Sequence, residues 1–196
     1  VDSGNNRIQV FTKEGKFLSK WGQPGSGEGQ FNLPWGLNLD KEGNVYVADW
    51  RNDRIQKLDS NGKFIAQWGS SGEGEGQFNR PAAVAVDDDG NMYVADWGNE
   101  RVQILDRHGE VLDILRGDSV DSTWAADYFQ ANPNEGTARL AADLEPVIDV
   151  TQELLRETSA NVEKLFWGPT AVKLDNQGRV YVVDSCRHRL QIYRKG

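Results

Sequence analysis

One five-residue pattern constrains this chain more than any other feature. It reads NNRIQ at 5–9, NDRIQ at 52–56, NERVQ at 99–103 and RHRLQ at 187–191. Aligned on the arginine, the copies fall at Arg7, Arg54, Arg101 and Arg189, spaced 47, 47 and 88 residues apart. An aspartate stands five residues before each, at Asp2, Asp49, Asp96 and Asp184, and Pro34, Pro81 and Pro169 repeat at the same 47 and 88. The period is therefore 47, and the last interval carries 41 extra residues. Repetition at this length means stacked supersecondary units, none of which can bury its apolar faces alone.

Each unit reads as four short strands. In the first complete copy these are GLNLD (36–40), VYVADW (45–50), RIQKLD (54–59) and FIAQWG (64–69). β-Branched and aromatic residues at short spacing suit strands. The connections DKEGN, DDDGN and DNQGR suit tight hairpins, because glycine reaches positive φ at little cost. Four antiparallel strands per 47 residues make a blade, and blades in series make an all-β propeller.

The pattern P-x-G-L-x-x-D-x-x-G-N-V-Y-V-A-D-x-x-N-x-R-I-Q, with GEGQFN before the proline, resembles the NHL repeat. The resemblance covers most of residues 1–116 and 166–196, and it implies blades of a six-bladed propeller. The last copy departs from it, with Arg187-His188 where the others have Asn and a variable residue. In that family's fold the Asp and Arg flank the loop between a blade's second and third strands. The pairs Asp2–Arg7, Asp49–Arg54, Asp96–Arg101 and Asp184–Arg189 are expected to be structural clasps, each guanidinium holding its carboxylate by two parallel hydrogen bonds. A device written into every blade is scaffold; an active site needs its residues once.

Without the 41 extra residues the chain holds 155, about 3.3 periods of 47 and an incomplete ring. It opens at Val1 with the third and fourth strands of one blade and closes with the first three strands of another. The expectation is a piece of a longer propeller, or an open arc whose blade edges invite self-association. Two chains would bring 26 strands, two more than six blades use, so pairwise closure requires displacing the spare strands.

The extra residues make an acidic insertion, 117–165, between blades. It holds ten acids and three bases, a net −7 of the chain's −8. It reads as helical: Ser122 capping a helix with Trp124, Tyr128 and Phe129 on one side, a break at Pro133 and Gly136, and a second helix over 149–166 started or kinked by Pro146. In the second helix Val150, Leu154 and Leu155 share a face that Val162, Leu165 and Phe166 continue. Insertion and loops belong on one propeller face, near Trp50, Arg51, Trp97, Cys186 and Arg187, which are the candidate ligand-binding residues.

Little else points to chemistry. His108 and His188 are the only histidines and belong to opposite faces, so a histidine zinc site of the kind held by the amidating lyases is not expected. DDDG (87–90) lacks the rest of a calcium loop and occupies a hairpin position. Cys186 and His188 have no identifiable third group for thiol catalysis. No catalytic residue, metal or cofactor is expected. With no basic stripe to offset the acidic insertion, nucleic acid is a poor partner, and no apolar run reaches 18 residues. The expected function is a non-enzymatic binding or scaffold module whose upper face recognises a protein, peptide or small ligand. The alternative is a lyase or hydrolase completed by further blades.

Overall fold

The computed structural model describes residues 1–117, 123–142, 155–162 and 164–194. These residues form thirteen strands in four antiparallel sheets, each a meander in chain order. Blade 1 has two strands, β1 (Ile8–Phe11) and β2 (Phe17–Trp21). Blade 2 comprises β3 (Pro34–Leu39), β4 (Val45–Asp49), β5 (Arg54–Leu58) and β6 (Phe64–Trp68). Blade 3 repeats it with β7 (Pro81–Val86), β8 (Met92–Asp96), β9 (Arg101–Leu105) and β10 (Val111–Leu115). Blade 4 has three strands, β11 (Pro169–Leu174), β12 (Arg179–Asp184) and β13 (Arg189–Arg194). The expected all-β blades are thus present, with β3 packed beside β7 and β7 beside β11.

An aspartate closes each hairpin by accepting the backbone N–H four residues on: Asn44 to Asp40 at 2.8 Å, Asn91 to Asp87 at 2.8 Å, Arg179 to Asp175 at 2.9 Å. This local bond substitutes for the ladder where the chain reverses. DDDG is therefore engaged as a hairpin turn, like its counterparts at 40–43 and 175–178.

Period-two alternation sends each strand's residues into two different cores. Along β4, Val45 and Val47 join Ile8, Phe31 and Leu58 between blades 1 and 2. Tyr46 and Ala48 join Ile55, Phe78, Val84 and Met92 between blades 2 and 3. Tyr93 and Ala95 join Val102, Phe166, Val172 and Val182 between blades 3 and 4. Every residue of β4 and β8 is buried, and each large apolar side chain so buried contributes about 1.5–3 kcal/mol relative to exposure. Phe31, Phe78 and Phe166, each 0% exposed, occupy the same repeat position, so the blade-to-blade core resumes in register after the insertion.

The insertion differs from the sequence reading in three respects. Pro133 does not break the chain: it opens α2 (Pro133–Ala141) after α1 (Thr123–Ala131), at a first-turn position where its missing N–H costs nothing. Gly136 lies inside α2, and a Cβ there would stand 3.3 Å from Phe129 of α1. The last helix, α3, ends at Asn161 (Leu155–Asn161), so Val162, Leu165 and Phe166 do not continue its face. Val162 is buried beyond the helix end, and Phe166 belongs to the blade core. Ser122, Pro146, Val150 and Leu154 lie outside the described residues. The Phe166 N–H donates to the Arg116 carbonyl at 2.8 Å, tying the two ends of the insertion together. That contact explains how a blade connection absorbs 41 extra residues without displacing its neighbours.

Candidate functional site

The loops after each second strand, the interblade connections and α3 share one face, called the upper face here. Its foundation is the repeated clasp. Asp49 Oδ1 accepts the Asn32 N–H at 2.7 Å. Its Oδ2 accepts from Asn52 Nδ2 at 2.8 Å, Arg54 Nε at 2.9 Å and Gln56 Nε2 at 3.3 Å. Asp96 repeats this with Asn79, Asn99, Arg101 and Gln103 at 2.8, 2.9, 2.8 and 3.3 Å. Asp184 pairs with Arg189 at 2.8 Å, and Asp2 with Arg7 at 2.7 Å.

The clasp is not the two-bond fork the sequence suggested. One guanidinium nitrogen, Nε, meets the carboxylate; the others reach backbone carbonyls. Arg54 Nη1 donates to Ser26 O at 2.8 Å, and Nη2 to Gly27 O and Gln30 O, both at 2.9 Å. Arg101 Nη2 does the same to Gly74 O at 2.7 Å and Gln77 O at 3.0 Å. Each arginine therefore fastens the glycine-rich connection that brings the chain in from the preceding blade. Burial pushes the Asp96 carboxyl above its ordinary range, against the pull of the Asn79 N–H, Asn99 and Arg101. At the more open first clasp, hydrogen bonds from Arg7 and then Asn5 hold Asp2 below it.

A second device escaped the sequence reading. The residue before each clasp arginine is left-handed (Asn6 φ 52°, Asp53 φ 49°, Glu100 φ 51°) and accepts a backbone N–H of the next blade. Leu33 N donates to Asn6 Oδ1 at 2.6 Å, Arg80 N to Asp53 Oδ1 at 2.7 Å, and Gly168 N to Glu100 Oε2. The signal was legible: a position that looks variable holds an acceptor in each of these three copies.

On this base stands a run of indoles. Trp50 and Trp97 occupy the same place in blades 2 and 3, with ring centroids 5.1 Å apart at 40°. Trp35, at the start of β3, extends the run at 4.4 Å and 31° from Trp50 and is 54% exposed. Trp35 was not among the sequence candidates; its counterparts are Ala82 and Thr170, so only one blade carries the signal. Gly168 continues the line: a Cβ there would lie 2.9 Å from Cys186 Sγ and 3.5 Å from Trp97 Nε1. Beyond it the Thr170 and Ser185 hydroxyls hydrogen-bond each other.

The other candidates divide. Cys186 is a half-buried free thiol in this line, and Arg51 is exposed on the Trp50 turn. Arg187 faces the insertion instead. Its Nη2 donates to the Ser159, Ala160 and Val162 carbonyls at 2.5, 3.2 and 2.7 Å, and its guanidinium lies 6.0 Å from the Trp167 ring centre. These are the carbonyls at the end of α3, which lack helical partners and favour a cation. α3 also packs on the Trp97–Asn99 turn. Among the described residues, no three His, Cys, Asp or Glu side chains gather where they could hold a metal ion.

Comparison with known proteins places this geometry. A family profile described as NHL repeat matches residues 31–58, 78–105 and 166–193. Among curated proteins, none matches this sequence. The chain is similar in fold to a protein of unknown function from Bacteroides caccae (TM-score 0.52, 14% identity, 91% of this chain and 48% of that one). It is also similar to streptogramin B lyase (0.52, 14%, 98% and 49%). A third is a catalytically inactive virginiamycin B lyase from Staphylococcus aureus with quinupristin (0.53, 11%, 99% and 50%). At these identities the likeness is one of fold, and the chain spans about half the length of each structure. The three matched segments run from Phe31, Phe78 and Phe166 through the third strand of blades 2, 3 and 4, and the chain is an NHL-repeat protein with propeller blades.

Proposed function

We propose that this chain is a non-enzymatic binding module whose upper face recognises a protein segment or peptide presenting an apolar or aromatic group. The observation that carries the reading is the Trp35–Trp50–Trp97 run, large apolar rings left partly open to water on a scaffold fixed by buried clasps. Aromatic side chains supply contact area at low entropic cost and dominate binding energies where they are exposed in rigid surroundings. Arg51 and Cys186 flank the run, and Arg187 contributes by holding α3 beside it.

The test is selection of peptides from a displayed library on the immobilised chain, followed by titration of the winners against wild type, Trp35→Ala and Trp50→Ala. The reading expects each substitution to weaken binding at least tenfold, about 1.4 kcal/mol, with unchanged thermal unfolding. Selected peptides that bind both variants at wild-type affinity would refute it. Deleting 118–164 tests the insertion's share, which is expected to lower affinity for the same peptides.

A second reading, an enzyme completed by further blades, draws support from the fold shared with streptogramin B lyase. It predicts mass-changing turnover of a type B streptogramin by a closed ring, which mass spectrometry would detect.

A further inference from the structure

The repeat makes the two ends of the arc readable position by position. The apolar residue after each clasp arginine faces the following blade: Ile8, Ile55 and Val102 are 3%, 0% and 0% exposed in the cores ahead of them. The equivalent in blade 4, Leu190, is 55% exposed. One strand inward, Ala48 and Ala95 are 0% exposed and face forward, whereas Val183 is 39% exposed. At the other end, residues that face the preceding blade stand open. Leu58 and Leu105 are 0% and 1% exposed, but Phe11 in blade 1 is 49% exposed. On the first strand of blade 2, Leu39 is 56% exposed where Val86 and Leu174 pack into cores.

These faces are complementary in composition as well as in sense. Blade 1 has third- and fourth-position strands and lacks the inner two; blade 4 has the inner two plus a third and lacks the outermost. The strands they share carry the same pattern, Arg7-Ile8-Gln9-Val10-Phe11 in β1 and Arg189-Leu190-Gln191-Ile192-Tyr193 in β13. A cavity of about 270 Å³ lies between blades 3 and 4, lined by Ile104, Leu112, Leu115, Val180 and Tyr193 on the side where a fourth strand would run.

We propose that these surfaces are filled by a second copy of this chain: the β1–β2 hairpin of each copy replaces β13 of the other on β12. Arg7 then meets Asp184, Phe11 takes the place of Tyr193, and β2 supplies the missing outer strand with its Trp21 toward the cavity. Val183 of β12 comes against Leu39 of the second copy. Four unshared blades and two shared ones give six, with a two-fold axis that closes the assembly and exposes no further matching face. The solved structures that this chain matches are about twice its length, as one chain closing the same ring would be. The open faces bury apolar residues only in this arrangement, and the exchanged strands make the same ladder before and after, so the exchange itself costs little.

Light scattering of the 196-residue chain across a concentration series tests this. The expected mass is twice 21.9 kDa. Leu39→Asp, at a residue open to water in the single chain, should halve it while leaving circular dichroism and thermal unfolding of the single chain intact. The 1–188 chain, without β13, should still pair. A mass of 21.9 kDa throughout, a mass that grows past two copies, or a pair indifferent to Leu39→Asp would each overturn the proposal. So would loss of pairing in a folded 1–188 chain, because it would place β13 inside the interface.

Discussion

Arg101→Met isolates what the clasp contributes. Methionine keeps much of the apolar stem and removes the guanidinium. It takes away the Nε bond to Asp96 and the Nη2 bonds to Gly74 O and Gln77 O. The Arg101 and Asp96 side chains are 3% and 0% exposed, so the carboxylate left behind has no water to replace its cation. Breaking a buried pair in this way costs about 3–5 kcal/mol. With a urea m-value of about 1–3 kcal/mol/M, the midpoint should fall by more than about 1 M. Arg7→Met is the internal control: its side chain and that of Asp2 are 31% and 22% exposed, so water screens what remains and the midpoint should move far less.

The sign with pH is also set. Burial already raises the Asp96 carboxyl, and loss of Arg101 raises it further, so the variant's deficit is full above that value and narrows as pH falls through it. Urea melts followed by both tryptophan emission and far-ultraviolet circular dichroism would check that one transition is being read. Adding Asp96→Asn to Arg101→Met should recover a large share of the loss by removing the stranded charge. Equal midpoint shifts for Arg101→Met and Arg7→Met, or no recovery in the double variant, would refute the account of the clasp as a desolvated ion pair.

Three further outcomes follow from particular contacts. At the 175–179 turn burial pushes the Asp175 carboxyl up, but the Arg179 N–H and guanidinium and the Gln177 N–H outweigh it and hold it down to about 2. Its stabilisation is therefore complete above the unfolded value of about 3.9 and is lost as pH falls toward 2; Arg179→Met should move the carboxyl upward in a carbon-detected NMR titration. Gly36→Ala would place a Cβ 2.6 Å from Ala82 O and 2.8 Å from Ala83 Cα, where blades 2 and 3 touch backbone to side chain, and should cost about 1–3 kcal/mol in a urea melt. Gly4→Ala, with nothing within 4 Å, should change little. Arg187→Ala should free α3, seen as faster amide exchange over 155–162 with the blade strands unchanged.

The strands were legible because both faces of each blade are core: alternation, the Asp-Gly hairpins and the spacing of 47 all give the same register. The clasp partners were legible only by half. Asp49 and Arg54 are letters at fixed spacing, whereas Ser26 O, Gly27 O and Gln30 O are carbonyls that any residue supplies. The same blindness hid the latch at Asn6, Asp53 and Glu100, where three different side chains do one task because the task is only to accept a hydrogen bond. Pro133 was misread for a different reason. Proline excludes a helix interior and favours a helix start, and the sequence alone does not say which side of Asn132 the helix lies on.

The exchange of Asn for Arg at position 187 joins these threads. In blades 2 and 3 the asparagine at this place donates to a carbonyl of the incoming connection, Asn52 to Gly25 O and Asn99 to Gly72 O, both at 2.9 Å. Before blade 4 the short glycine-rich connection is replaced by the insertion, and the nearest unpaired carbonyls are those at the end of α3. An asparagine is too short to serve several of them, and its amide carries no charge to meet a helix C-terminus; an arginine does both. The departure from the repeat is therefore the repeat's own function carried out over a longer distance. It also means that the insertion is held by the same loop position that fixes every other connection, so α3 is positioned against the upper face by the scaffold itself, beside Trp97 and in line with the indole run.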